Sequence, residues 1–261
     1  MKNEFRSRLL IAFCGFFLFT VATFLQFEST FFFLCAVWTF SFLEIVNMLQ
    51  ISDLMKNIYF FFSVLIFLLC FYYIQLPGNT LSVVFAIIWL ITILFLCFLP
   101  KEKHKHFSFL YMIYLTLPIV YLVDIRKLFG APVFFLLLLI IWTLDVFSYC
   151  FGVSLGKHLI APKISPKKTW EGTLAGIVFS FSAGFLGLLK LKYTDNISLI
   201  IVGCLLFPVF GFLGDLFESS IKREYNKKDS GSILLGHGGF LDRFDSLLFT
   251  AIIFGTFIRF L

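Results

Sequence analysis

The sequence predicts an all-α, polytopic membrane protein of about nine transmembrane helices with a cytoplasmic N-terminus. Three observations carry that expectation. Of the 261 residues, 60% are hydrophobic and 14% charged, against roughly 45–50% and about 25% in soluble domains; water would reject the excess, and lipid accepts it. The apolar residues gather in runs close to the ~17–25 residues with which a helix crosses a bilayer. The basic residues sit between those runs and alternate in density from one connection to the next.

The nine runs are read at 9–25, 30–49, 58–74, 81–99, 107–123, 132–152, 174–189, 197–217 and 244–260. Their bias toward Phe, Leu and Ile, with 40 Phe residues, suits lipid-facing helices better than the alternating strands of a barrel. The first run follows the basic segment MKNEFRSR as a signal peptide would, yet no small-residue cleavage site follows, so it is expected to stay as the first helix. With the N-terminus inside, 16 of the 21 Lys and Arg residues fall on the cytoplasmic side, and Arg126, Lys127, Lys190, Lys192 and Arg259 on the other. That bias favours an odd number of spans with the C-terminus outside.

The net charge of +6 does not point to nucleic acid, because the basic residues occupy short connections where membrane orientation explains them. The six cysteines lie within apolar runs without CxxC or Cys/His spacing and read as small hydrophobes. Residues 1–130, poor in polar groups, are expected to be a transmembrane scaffold touching lipid or subunits. Residues 131–261 are expected to form a catalytic region in which two connections, 153–172 and 218–243, share the cytoplasmic face.

Ionisable groups within a span cost about 2.5–3.5 kcal/mol each on insertion scales and so mark functional sites. Glu44, Asp145 and Asp215 are of this kind. Asp215, Ser219 and Lys222 recur at i, i+4 and i+7 and line one face if their helix continues past the membrane surface. Downstream, KREYNKKDSGSILLGHGGFLDRFDS joins Lys222, Arg223, Lys227, Lys228 and Arg243 to Asp229, Asp242 and Asp245 around a glycine-rich turn. Carboxylates suit hard divalent cations, and basic side chains with the N–H groups of Gly236, Gly238 and Gly239 suit phosphate oxygens. His237 is equally read as a turn or capping residue, and one of Asp242 and Asp245 as an N-cap. In GKHLIAPKISPKKTWEG, Lys163, Lys167 and Lys168 could simply meet anionic lipid, but Ser165, Thr169 and the prolines favour a shaped loop for an anionic ligand.

These residues carry a resemblance. Residues 219–246 resemble the C-terminal signature of phosphatidate cytidylyltransferases, S-x-x-K-R-x-x-x-K-D followed by H-G-G-x-x-D-R-x-D. Ser219, Lys222, Arg223, Lys228 and Asp229 match its first part, and His237, Gly238, Gly239, Asp242, Arg243 and Asp245 its second. The SPKKTWEG loop at 165–172 and LDVFSYCFG from Leu144 are similar to two further family features. The likeness covers about the C-terminal half, and where relatives show Gly-Arg after the sixth helix this chain has Gly152 and Val153, without the cation.

The resemblance implies transfer of a cytidylyl group from CTP to phosphatidate, giving CDP-diacylglycerol and pyrophosphate at the cytoplasmic face of the inner membrane. It implies Mg2+ on Asp215, Asp242 and Asp145, with Asp245 as a further partner. Lys222, Arg223 and Arg243 would hold phosphates, and Lys167 and Lys168 would close over the triphosphate. A monovalent cation such as K+ and a homodimer are compatible with it. The nearest alternative keeps the chemistry but takes another lipid phosphate or a polyprenol as acceptor. An ion-coupled transporter would place acids in a midplane chain with an inverted repeat, and a noncatalytic scaffold would have interchangeable loops.

Overall fold

The structure, a computed structural model, describes residues 17–74, 80–98, 108–192, 194–231 and 238–261. After helical residues 17–24 come α1 (Phe27–Met48), α2 (Asp53–Ile74), α3 (Thr80–Phe98) and α4 (Phe109–Leu155). A short antiparallel hairpin, β1 (Leu159–Ala161) and β2 (Ser165–Thr169), leads into α5 (Trp170–Leu191), α6 (Ile197–Glu224), a 3-10 turn (Leu241–Arg243) and α7 (Asp245–Ile258). Among the described residues α1, α4, α5 and α6 are long and apolar enough to cross a membrane. Among the described residues the hairpin is the one departure from an all-α reading, and it lies within the 153–172 connection.

The runs at 107–123 and 132–152 form two helical segments that meet across a break, with no loop between them. They are arms of α4, which departs from helical geometry at Gly130 (φ 79°, ψ −179°). Glycine alone adopts that φ without strain, and Pro132 cannot donate back across the break, so the chain reorients there and resumes helix at once. The charges at 124–127 are therefore helical. Asp124 forms a buried ion pair with Arg259 at the end of α7, while Arg126 donates to Thr23 O (3.1 Å) and Leu25 O (3.0 Å) at the end of the first helical stretch. Two of the five cations expected outside are thus tied to the protein's own acceptors.

α4 runs through the core, with Tyr111, Tyr114 and Tyr121 fully buried. Pro118 has no N–H for the carbonyl of Tyr114 four residues earlier. Trp89 of α3 replaces that donor, its Nε1 lying 3.1 Å from Tyr114 O, and Trp38 of α1 donates to Thr116 Oγ1 at 3.2 Å. In an apolar interior, an acceptor left bare is expensive, and these two indoles clasp α4 where its own ladder is interrupted.

α5 turns a stripe of small residues, Gly172, Gly176, Ser180 and Gly184, into the bundle at four-residue spacing. Ser180 Oγ donates to Ile140 O (2.7 Å), and a Cβ on Gly176 would fall 2.0 Å from Ser148 Oγ and 2.7 Å from Leu144 O. Small residues at this spacing let helix backbones approach where no hydrophobic effect separates lipid from protein. The approach seats the hairpin beside the second arm of α4. Gly176→Val should force α5 away and lower stability by about 1–3 kcal/mol, read as an earlier thermal unfolding transition in detergent. Ser182→Val on the exposed face of α5 should leave the transition in place.

Candidate active site

α6 continues to Glu224, beyond the expected end at 217, and so presents Asp215, Ser219 and Lys222 on one face. Ser219 Oγ donates to Asp215 Oδ1 at 3.3 Å. Glu218, fully buried, pairs with Lys222 one turn on, and Lys222 Nζ also donates to Asp242 Oδ1 at 2.7 Å. An ammonium taken out of water is thereby held between two carboxylates, as burial of a charge requires. Gly214 brings α7 close, since a Cβ there would lie 2.7 Å from Asp245 O, and buried Asp245 is placed near Asp215.

The hairpin reaches the same face. Its register pairs Leu159 with Thr169 and Ala161 with Ser165, and Thr169 caps α5 by accepting from Gly172 N at 3.2 Å. Glu171 accepts from Lys157 N (3.1 Å) and His158 N (3.3 Å) and meets His158 Nδ1 at 2.6 Å, which closes the hairpin's open end. Lys168 then extends to Asp215 Oδ2 at 2.5 Å, 5.0 Å from the centroid of the Phe212 ring. Lys167 is exposed, and Ser165 opens β2. Arg223 donates through Nε to Ile164 O and through Nη1 to Lys227 O, both at 3.0 Å. The structure thus joins the hairpin to α6 at two points, Lys168 to Asp215 and Ile164 to Arg223.

The glycine-rich turn is organised by carboxylates. Asp242 accepts from Ser230 N through both oxygens (3.2 and 3.1 Å) and from Gly239 N (2.7 Å). Gly238 has φ 84°, and a Cβ on it would lie 2.8 Å from Asp242 Oδ2. The Gly239 N–H, expected to face phosphate, is therefore given to Asp242, and Arg223 serves two carbonyls. Lys228, Asp229 and Arg243 are exposed, and Arg243 shares with Asp145 the lining of a cavity of about 30 Å³. His237 and Gly236 lie outside the described residues.

Asp145, Asp215 and Asp245 lie near enough to repel one another, with Lys168 and Arg243 countering Asp145. Adding the Glu218–Lys222–Asp242 triad, five carboxyl groups gather around three basic side chains. Glu218 Oε1 is buried without a hydrogen-bond donor. This excess fits a divalent cation, although no group of three potential ligands among the described residues converges enough to hold one by itself. Mg2+ commonly binds through one or two carboxylates and completes its shell with water and substrate phosphates, so the two observations agree.

Two acids escaped the expected site. Glu218 could have been found as the residue one turn before Lys222 on a helix bearing several charges. Glu44 was marked as an acid in an apolar span but given no place; its carboxylate accepts from Ser230 Oγ (2.8 Å), Phe240 N (2.9 Å) and Leu241 N (3.0 Å).

The model of the cytidylyltransferase family matches residues 6–261. The chain belongs to the cytidylyltransferase family. It is 43% identical over 139 residues to the phosphatidate cytidylyltransferase of Bacillus subtilis, a match covering 52% of each chain. It is 45% identical over 111 residues to that of Staphylococcus haemolyticus, covering 42% of this chain and 43% of the other. The Staphylococcus saprophyticus protein of the same description is 37% identical over 143 residues, covering 55% of each chain. The chain spans about half the length of the curated relatives it matches.

In this member of the cytidylyltransferase family, Asp242 links α6 to the glycine-rich turn. Burial alone would raise its pKa, but the Lys222 ammonium and the Gly239 N–H hold it below the ordinary carboxylate value. A depressed folded pKa stabilises the turn above the unfolded value of about 4 and loses that contribution as pH falls through the folded one. Hydrogen exchange at 238–243 should therefore accelerate below about pH 4, and Asp242→Asn should remove most of that pH dependence.

Proposed function

We propose that the protein transfers the cytidylyl group of CTP to phosphatidate, forming CDP-diacylglycerol and pyrophosphate. The observation that carries this reading is the meeting of Lys168, from the SPKKTWEG hairpin, with Asp215 on the helix that bears Lys222 and Arg223, in a chain matched almost throughout by the cytidylyltransferase family. The relatives named phosphatidate cytidylyltransferase supply the acceptor.

A phosphate oxygen of phosphatidate, already anionic, attacks the α-phosphorus of CTP. A phosphorus–oxygen bond forms as the bond bridging the α- and β-phosphates breaks, and pyrophosphate departs with that electron pair. No strong base is required, so rate comes from alignment and from neutralising charge on the leaving group. Lys168 and Lys167 on the hairpin, with Arg243, meet the triphosphate. Lys222 and Arg223 hold the acidic face, the turn and the hairpin in register. Mg2+ would be held by Asp215, with water and the substrate's phosphates completing its shell, and would screen the triphosphate, with Asp145 and Asp245 adding negative charge beside it. Asp242, whose oxygens serve Lys222, Ser230 and Gly239, shapes the turn.

In the bilayer we assign about nine spans, with the N-terminus and the active site on the cytoplasmic face of the inner membrane. Phosphatidate then keeps its acyl chains in lipid and offers its head group at the helix ends. The charge bias of the connections and the meeting of the two basic loops support this orientation.

Purified protein in detergent, given labelled CTP, phosphatidate and magnesium, should release pyrophosphate and form a lipid nucleotide. Asp215→Asn with unchanged helix content should lower turnover by roughly 10²-fold or more. Undiminished turnover in that variant would remove the acidic face from the mechanism, and product with a different lipid phosphate alone would change the acceptor. Lys168 and Lys228 should react with a membrane-impermeant label from the same side.

A further inference from the structure

We propose that Glu44, in a helix whose sequence reads as scaffold, is a positioning residue of the active site that holds the glycine-rich turn in the shape presenting Asp242. Its role rests on the site proposed above, and its geometry is independent of the reaction assigned there.

Glu44 is 2% exposed and lies on α1, remote in sequence from the three donors that its carboxylate accepts from. Oε1 accepts from Phe240 N, and Oε2 from Ser230 Oγ and Leu241 N. The two backbone donors enter the 3-10 turn at Leu241–Arg243, so a carboxylate from another helix caps the turn that carries Asp242. Ser230 bridges the two acids, its hydroxyl going to Glu44 and its N–H to Asp242. A continuous chain of contacts runs from Glu44 through Ser230 and Asp242 to Lys222 and Glu218.

The glycines of the turn make room for this carboxylate. A Cβ on Gly231 would lie 2.4 Å from Glu44 Oε1, and one on Gly239 would lie 2.4 Å from Oε2 and 1.9 Å from Ser230 Oγ. One turn earlier on the same face of α1, Phe40 stacks on Phe240 with centroids 4.9 Å apart. α1 therefore grips both the backbone and a side chain of the turn. Three donors on two oxygens leave Glu44 no role as a phosphate or lipid contact, and its value to an apolar bundle lies in what it holds. An acid buried for packing alone would be replaceable by an apolar side chain; one that orders three donors is not.

Glu44→Gln keeps the shape but turns an NH2 toward at least one donor. In this variant the amides of Phe240 and Leu241 should exchange faster than in the parent, while those of α5 stay protected. Its kcat should fall by roughly 10- to 100-fold with a smaller change in KM for CTP. Glu44→Asp, which keeps the charge on a shorter arm, should recover part of the loss. Parental exchange at Phe240 and Leu241 in Glu44→Gln, or parental kcat with altered exchange, overturns the proposal. If Glu44→Gln does not fold, Ser230→Ala removes one donor only and should still speed exchange at the same amides; unchanged exchange there counts against it. Absence of cytidylyl transfer in the parent would defeat the reaction assigned above, and the exchange measurement would still decide the role of Glu44.

Discussion

Every charge carried into the interior of this helical bundle has to meet a partner there. The strictest case is Lys222, whose ammonium is held between Glu218 and Asp242. Removing water from that group is tolerable only because two carboxylates replace it, and those carboxylates belong to α6 itself and to the turn before α7. The pairing therefore sets the distance between α6 and the turn. Asp124 with Arg259 does the same between the kink of α4 and the end of α7. Charge pairing in an apolar medium acts here as a set of fixed-length ties.

Backbone polarity obeys the same rule and shapes the fold away from the charges. Pro118 leaves the carbonyl of Tyr114 without its helical donor, and the indole of Trp89 supplies one. Gly130 breaks α4 at a residue that takes a positive φ without strain. The small-residue stripe of α5 lets its backbone settle against α4, which carries the hairpin to the rim of α6. The Lys168–Asp215 contact is thus the far end of a packing arrangement that begins with Gly172 and Gly176.

The N-terminal helices, expected to serve as scaffold, also reach the connections of the C-terminal region. Trp38 and Phe40 of α1 reach α4 and the turn, and Glu44 orders three donors on the loop that carries Asp242. Among the described residues of the turn that looks like a phosphate cradle in sequence, the N–H groups of Ser230, Gly239, Phe240 and Leu241 are given to the protein's own carboxylates. In the proposed reaction, substrate is left to the side chains of Lys167, Lys168 and Arg243, of which Lys167 and Arg243 are exposed.

The sequence by itself determined the helical membrane class, the positions of most helices, and the two connections in which charged and polar residues concentrate. Long apolar runs and the periodicity of Asp215, Ser219 and Lys222 are local properties, written within a few turns of chain. It also singled out Glu44, because an acid in an apolar run is costly wherever it ends up. Only the tertiary structure decided that 107–123 and 132–152 meet at Gly130 without a loop, that SPKKTWEG enters a hairpin, and that Glu218 and Glu44 lie against Lys222 and the turn carrying Asp242. Those outcomes depend on which groups from distant segments satisfy one another, as Glu44 does with Ser230 and Arg223 with Ile164. Hydropathy and spacing describe a segment's demand for a partner, and the partner is chosen only when the helices pack.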